Sequence, residues 1–197
     1  MDHVHGNAYT NPHWKGDYSF IKDPDFPGSF RIPARALNII WGNDPRYWQW
    51  MNPTEEETRF KGFEGAKAEV AVLLQVNWLE VKGTMDLSLL KDTRKTAYTI
   101  HYMIKFRVDA FGWHSAPVKF KVRVNGEETE DSMTVEPYRV KHDVWQEVHG
   151  GQFTISNNTD VGNGSVEFGM FEVESDWWKG GMVLGGVLIK PKLQIEQ

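Results

Sequence analysis

A chain of 197 residues, 40% hydrophobic and 25% charged, holds enough apolar side chains for one domain with its own core. Its formal charge of −5 speaks against a nucleic-acid or anionic-membrane partner, because both need a basic face. It has no cysteine, which removes disulfides, thiolate metal sites and cysteine nucleophiles and suits a reducing compartment. No apolar run approaches the length that spans a bilayer. The opening MDHVHGNAYTNPHW lacks the basic and apolar regions of a secretory leader, so a cytoplasmic or nuclear protein without membrane insertion is expected.

Residues 1–35 are rich in proline and in isolated aromatics (Tyr9, Trp14, Tyr18, Phe20, Phe26, Phe30) with no sustained period. They read as an extended arm packing its rings on the domain or on a neighbouring subunit. His3, His5 and His13 fit no closed metal-ligand spacing, so neither a metal nor a cofactor is expected. Residues 36–197 read as one β domain.

Within that domain, Ile39 to Trp50 (IIWGNDPRYWQW) is the densest signal. Trp41, Tyr47, Trp48 and Trp50 lie among Asn43, Asp44 and Arg46, with Gly42 and Pro45 breaking any regular element. A pyranose has an apolar C–H face and a rim of hydroxyls; aromatic faces cover the first, and charged or amide groups bond the second. The alternative for any one tryptophan is burial in the core. Thr54 and Glu57 after Pro53 form a capping-box pattern, the one place where a short helix is expected.

From there the period is two. Val70, Val72, Leu74, Val76 and Trp78 alternate, as do Tyr98 to Val108, where His101, Lys105 and Arg107 take the wet side. Val118, Phe120, Val122 and Val124 alternate with cations, and Asn125-Gly126 closes a two-residue hairpin. Val183, Gly185, Val187 and Ile189 give a last alternation. Many one-sided strands with scarcely any helix predict an all-β, antiparallel, jelly-roll-like β-sandwich with an extended N-terminal arm.

The other site-like stretch is SVEFGMFEVESDWWKGG, Ser165 to Gly181. Val166, Phe168, Met170 and Glu172 share a parity, which points the Glu172 carboxylate to the inter-sheet side unless a bulge at Gly169 intervenes. There it would stay hydrated until ligand hydroxyls replaced the water; fully buried, it would need a cation or several donors. Glu167 and Glu174 read as solvent-facing, and Lys179 as a surface lysine. Of the adjacent Trp177 and Trp178, one packs and one is offered outward, with no local sign of which. Glu167, Glu172, Asp44 and Asp176 could furnish a glycosidase pair. The chain has no nucleophile elbow, zinc helix or phosphate loop, however, and no enzyme is expected.

IIWGNDPRYWQW, EVAVLLQVNWLEVKGTMD and DWWKGGMVLGGVLIKPK, in that order, resemble the phloem protein two lectins, also called Nictaba-like lectins after the tobacco agglutinin. The resemblance runs from about Ala36 to Leu193. It implies a plant nucleocytoplasmic or phloem-sap lectin, usually homodimeric and not catalytic, that binds N-acetylglucosamine (GlcNAc) oligomers, as in chitin, and N-glycan cores. By matching position, Trp41 and Trp48 correspond to the family's functionally important tryptophans and Glu172 to one of its sugar-binding acids. Ser165 stands where some relatives carry a further acid, with Glu167 two residues on. The expected carbohydrate-binding set is therefore Trp41, Trp48, Glu172, Glu167, Trp178 and Asp44. The alternative is a structural or interaction protein of the same fold that has lost sugar binding and dimerises through the arm and its aromatic surface.

Overall fold

The computed structural model describes residues 11–21, 29–55, 69–90 and 97–192. The capping-box helix expected at Thr54–Glu57 and the arm histidines His3 and His5 reach or lie outside them. The described residues fold into an antiparallel two-sheet sandwich. Its strands are β1 (Phe30–Pro33), β2 (Asn38–Ile39), β3 (Trp48–Met51), β4 (Val70–Leu73), β5 (Leu79–Asp86), β6 (Ala97–Phe111), β7 (Val118–Val124), β8 (Glu127–Met133), β9 (Gln146–Thr154), β10 (Ser165–Glu172) and β11 (Gly180–Pro191). One sheet runs β3-β4-β11-β6-β9, with β1 also on β11; the other runs β2-β5-β10-β7-β8.

The pairing is nested. β7 pairs β8, and around that hairpin β6 pairs β9, β5 pairs β10 and β4 pairs β11. A single long antiparallel hairpin, rolled so that successive strands fall in alternate sheets, is the jelly-roll arrangement. Its tip is Asn125-Gly126, whose φ values of 53° and 76° are those of a type I′ turn. The expected Asn-Gly hairpin is therefore present, and it sets the register from Val124↔Glu127 outward.

The core lies between the sheets. Tyr98, Ile100, Tyr102, Ile104 and Phe106 of β6 meet Val118, Phe120 and Val122 of β7 and Val166, Phe168 and Met170 of β10. Val108 breaks the β6 alternation and is exposed. Two other alternations divide differently from the expected way. In β4, Ala71 and Leu73 face the core, while Val70 and Val72 join Met103 and Val183 in a smaller apolar cluster on the outer side of the sheet. In β11 the register shifts between Leu184 and Gly186, so Met182 and Leu184 face inward before the shift and Val187 and Ile189 after it. A bulge inserts one residue and exchanges the faces. The only α-helical turn among the described residues is Glu136–Arg139, with Pro137 in its first turn.

Residues 30–33, at the end of the stretch read as an arm, are a strand paired to β11 from Phe30↔Ile189 to Pro33↔Gly186. Before them, residues 11–21 lie on their own domain. Trp14 bridges Ile39, and the Arg35 guanidinium sits over the rings of both Trp14 and Trp50, at 4.5 and 3.8 Å from their centroids. Arg35 is also paired with Glu69.

Candidate functional site

The ends of β2, β4, β5, β10 and β11 converge at one rim of the sandwich. Glu172 pairs with Leu79, Ile40 N donates to Glu80 O, and Val76 and Lys179 exchange both backbone hydrogen bonds. The loops at 40–47, 74–78 and 173–179 therefore lie side by side.

The 40–47 loop is a chain of tight turns. Gly42 N bonds Ile39 O, Asp44 N bonds Trp41 O, and Tyr47 N and Trp48 N both bond Asp44 O. The Asp44 carboxylate accepts from Arg46 N at 3.0 Å and from the Arg46 guanidinium at 2.7–3.3 Å, which holds its pKa below the usual carboxylate range. Asp44 thus builds the turn, and Arg46 in turn lies 5.2 Å from the Tyr47 centroid. Trp41 adopts φ 63°, a left-handed conformation that costs a bulky residue about 1–2 kcal/mol. The arm holds it there. Trp41 N donates to His13 Nδ1 at 2.9 Å, Asn43 N donates to Pro12 O, and the Asn43 amide bonds the carbonyls of Asn11 and His13. The arm passes so close that a Cβ on Gly42 would lie 2.6 Å from the Trp14 Cβ. Gly42→Ala is expected to destabilise the protein by about 1–3 kcal/mol, read as a lower urea midpoint.

Four rings form a row across the rim: His13 to Trp41 at 4.8 Å, Trp41 to Tyr47 at 5.6 Å, and Tyr47 to Trp178 at 6.5 Å with planes 25° apart. Trp41 and Tyr47 are half-buried, whereas Trp178 is 46% exposed. Trp177, 61% exposed, and Trp78, 46% exposed, lie on the two segments joined by the Val76–Lys179 bridge. The Trp78 indole donates to Glu80 at 2.9 Å. Partial burial pushes the Glu80 carboxyl up, but hydrogen bonds from Trp78 and Lys82 and the charge of Lys82 bring it below its ordinary range.

The expected site residues divide accordingly. Trp41 and Trp178 meet around Tyr47, and Asp44 sits in the turn beneath them. Trp48 does not join them: it is 3% exposed and packed in the core, and its indole N–H has no acceptor among the described residues. Glu167 is exposed on the outer face of the second sheet, 2.8 Å from Arg123. It stands five residues, about 16 Å, along β10 from Glu172. Glu172 keeps the inward parity, since β10 pairs with β5 without a break from Ser165 to Glu172.

Its carboxylate is not hydrated. Glu172 is 4% exposed and ion-paired with Lys179, itself 1% exposed. The expected surface lysine is thus the buried counter-charge. Lys179 Nζ also donates to Trp177 O at 3.0 Å, and Glu172 Oε1 accepts from Ser175 N at 3.1 Å. The pair braces the loop that presents Trp177 and Trp178. Among the described residues no three His, Asp or Glu side chains converge as a metal site.

Sequence reasoning missed Trp78 and His13 as rim residues. The alternation places Trp78 on a strand, but that strand ends at Leu73. His13 has no local signal, since its partner is 28 residues away.

Residues 28–191 match the family model described as Phloem protein 2. The Luffa acutangula protein named Lectin is 31% identical over 192 residues, 97% of this chain and 83% of its own length. From Arabidopsis thaliana, Protein PHLOEM PROTEIN 2-LIKE A1 is 31% identical over 83% of this chain and 61% of its own. Protein PHLOEM PROTEIN 2-LIKE A5 is 30% identical over 83% of this chain. The chain spans only 37% of the length of the latter. Among solved structures, the Podospora anserina GH26-CBM35 mannanase aligns with 89% of this chain and 29% of its own, at a TM-score of 0.44 and 8% identity. That likeness is too distant to bear on ligand. The family match takes in every strand of both sheets, and the chain belongs to the Phloem protein 2 family.

Proposed function

We propose that this protein is a carbohydrate-binding lectin that takes oligomers of N-acetylglucosamine and N-glycan cores on the row Trp41–Tyr47–Trp178. The observation that carries the reading is that row: three rings from two distant stretches, spaced 5.6 and 6.5 Å apart, partly open, at one rim. Aromatic faces suit the C–H face of a pyranose and the methyl group of an acetamide. Asn43 and the Arg46–Asp44 pair, on the same loop as Trp41 and Tyr47, supply polar groups beside it. The lectin name of the Luffa acutangula relative agrees with this assignment.

A shallow row makes few contacts with one sugar, so affinity is expected to be roughly millimolar for the monosaccharide and to rise with chain length. A homodimer would present two such rows and bind multivalent glycoproteins more tightly than free oligomers. Trp178→Ala is expected to weaken chitotriose binding by at least about tenfold in calorimetry, with an unchanged melting temperature, since this ring is half in solvent. If neither chitotriose nor an N-glycan core glycopeptide gives heat or a tryptophan fluorescence change, the reading is wrong.

A second reading is an aromatic protein-interaction surface of the same fold without a sugar ligand. The enclosure of Glu172 by Lys179 favours it, because it takes away a direct carboxylate contact. A glycan array without signal, alongside a dimer that Trp177→Ala dissociates, would establish it. Incubation with chitin oligomers followed by product analysis tests for hydrolysis.

A further inference from the structure

We propose that His13, in the arm that precedes the family-matched region, is a positioning residue for the rim: its neutral imidazole holds Trp41 in the ligand-facing conformation, and protonation lets Trp41 go. The inference rests on the glycan-binding reading for its effect on affinity, but its effect on Trp41 stands apart from that reading.

The chemistry follows from one hydrogen bond. Trp41 N lies 2.9 Å from His13 Nδ1. A backbone amide can only donate, so Nδ1 must be bare and the ring proton must be on Nε2. A doubly protonated imidazole has no lone pair to offer, and the amide of Trp41 would then face an N–H. The contact matters more than an ordinary loop bond because Trp41 is held at φ 63°, away from the regions that a tryptophan prefers. The same ring packs on the Trp41 indole at 4.8 Å. Losing the bond therefore removes both the amide's acceptor and the first ring of the row.

The surroundings supply a place for the charged form. The loop against His13 carries Asp44 and Arg46, which satisfy each other. β5 carries Glu80, whose carboxylate feels the charge of His13 and is shared with Lys82 and the Trp78 indole. In the arm, Lys15 is exposed. Among the described residues, Glu80 is thus an acid whose charge interacts with that of His13. Histidine is the side chain whose charge ordinarily changes between about pH 5 and 8.

The test compares the full chain with His13→Asn, whose amide oxygen can take the place of Nδ1 but does not titrate. Two readouts are followed from about pH 7.5 down to about pH 5: the backbone amide resonance of Trp41 in the 15N-labelled protein, and the affinity for chitotriose. In the native chain the Trp41 amide is expected to shift along an imidazole titration curve. Affinity should fall with the neutral fraction, approaching about tenfold per pH unit below that titration. In His13→Asn both should stay nearly flat. His101 of β6, whose burial and neighbouring Lys190 lower its pKa, is present in both proteins, so its contribution cancels. His13→Ala should bind weakly at every pH.

Identical pH profiles for the native chain and His13→Asn overturn the proposal, as does His13→Ala binding as tightly as the native chain. If no protein binds chitotriose at the upper pH, the glycan reading fails, and the Trp41 amide alone decides whether the latch exists.

Discussion

Replacing Glu172 with alanine is expected to destabilise the protein by about 3–5 kcal/mol, because it leaves the Lys179 ammonium in the interior without its counter-charge. Against a total stability of about 5–15 kcal/mol for a domain, that is a large share. The reason is the asymmetry of buried ion pairs. Making one gains little over a well-packed apolar pair, since both ions must leave water; breaking one by removing a single partner leaves the desolvation of the other uncompensated. Lys179→Ala should be similarly harmful. Glu172→Leu with Lys179→Met should recover most of the loss, because neither charge is then stranded.

The double variant also separates structure from binding. Glu172 Oε1 accepts from the Ser175 amide, and Lys179 Nζ donates to the Trp177 carbonyl. A stable double variant lacks both braces, so Trp177 and Trp178 should be less ordered and chitotriose binding weaker even at native stability. Urea denaturation checks the first claim and calorimetry the second. A Glu172→Ala protein as stable as the native chain would mean that the pair is open to water. An unaltered affinity in the double variant would mean that the loop needs no brace.

What the sequence made legible was local. The inward parity of β10 through Glu172, the long β6 alternation and the Asn125-Gly126 hairpin each depend on residues a few positions apart, and period-two reasoning reaches them. Where burial has a second source, the same reasoning misleads. Val70 and Val72 look like core residues and are buried, but against Met103 and Val183 on the other side of their sheet. Val183 lies on that side because the β11 register shifts only after Leu184, between Leu184 and Gly186.

The site was harder to read because it is assembled from long-range neighbours. Lys179 could not be matched to Glu172 without knowing that the chain turns back over the strand end. His13 could not be matched to Trp41 without the path of the arm. For Trp48 a usable signal existed and was outweighed by aromatic density. In β3 (WQWM), Trp48 and Trp50 share one parity and Gln49 and Met51 the other, and this split marks Trp48 as a residue that faces inward.

That placement yields the second large effect. Trp48→Ala is expected to cost about 3–5 kcal/mol, since a fully packed indole leaves a cavity that the sheet cannot close. Trp48→Phe should behave very differently. It keeps most of the ring against the core and removes an indole N–H that is buried with no acceptor among the described residues. An unmade bond of this kind costs about 1–3 kcal/mol, which offsets much of the lost contact area, so the phenylalanine variant should lie within about 1 kcal/mol of the native chain. The two variants also decide what Trp48 does for ligand. If it acts only by supporting the loop above it, Trp48→Phe should bind chitotriose as the native chain does, while Trp178→Ala, equally folded, should not. A stable Trp48→Phe protein that has lost binding would instead place the indole N–H at the sugar.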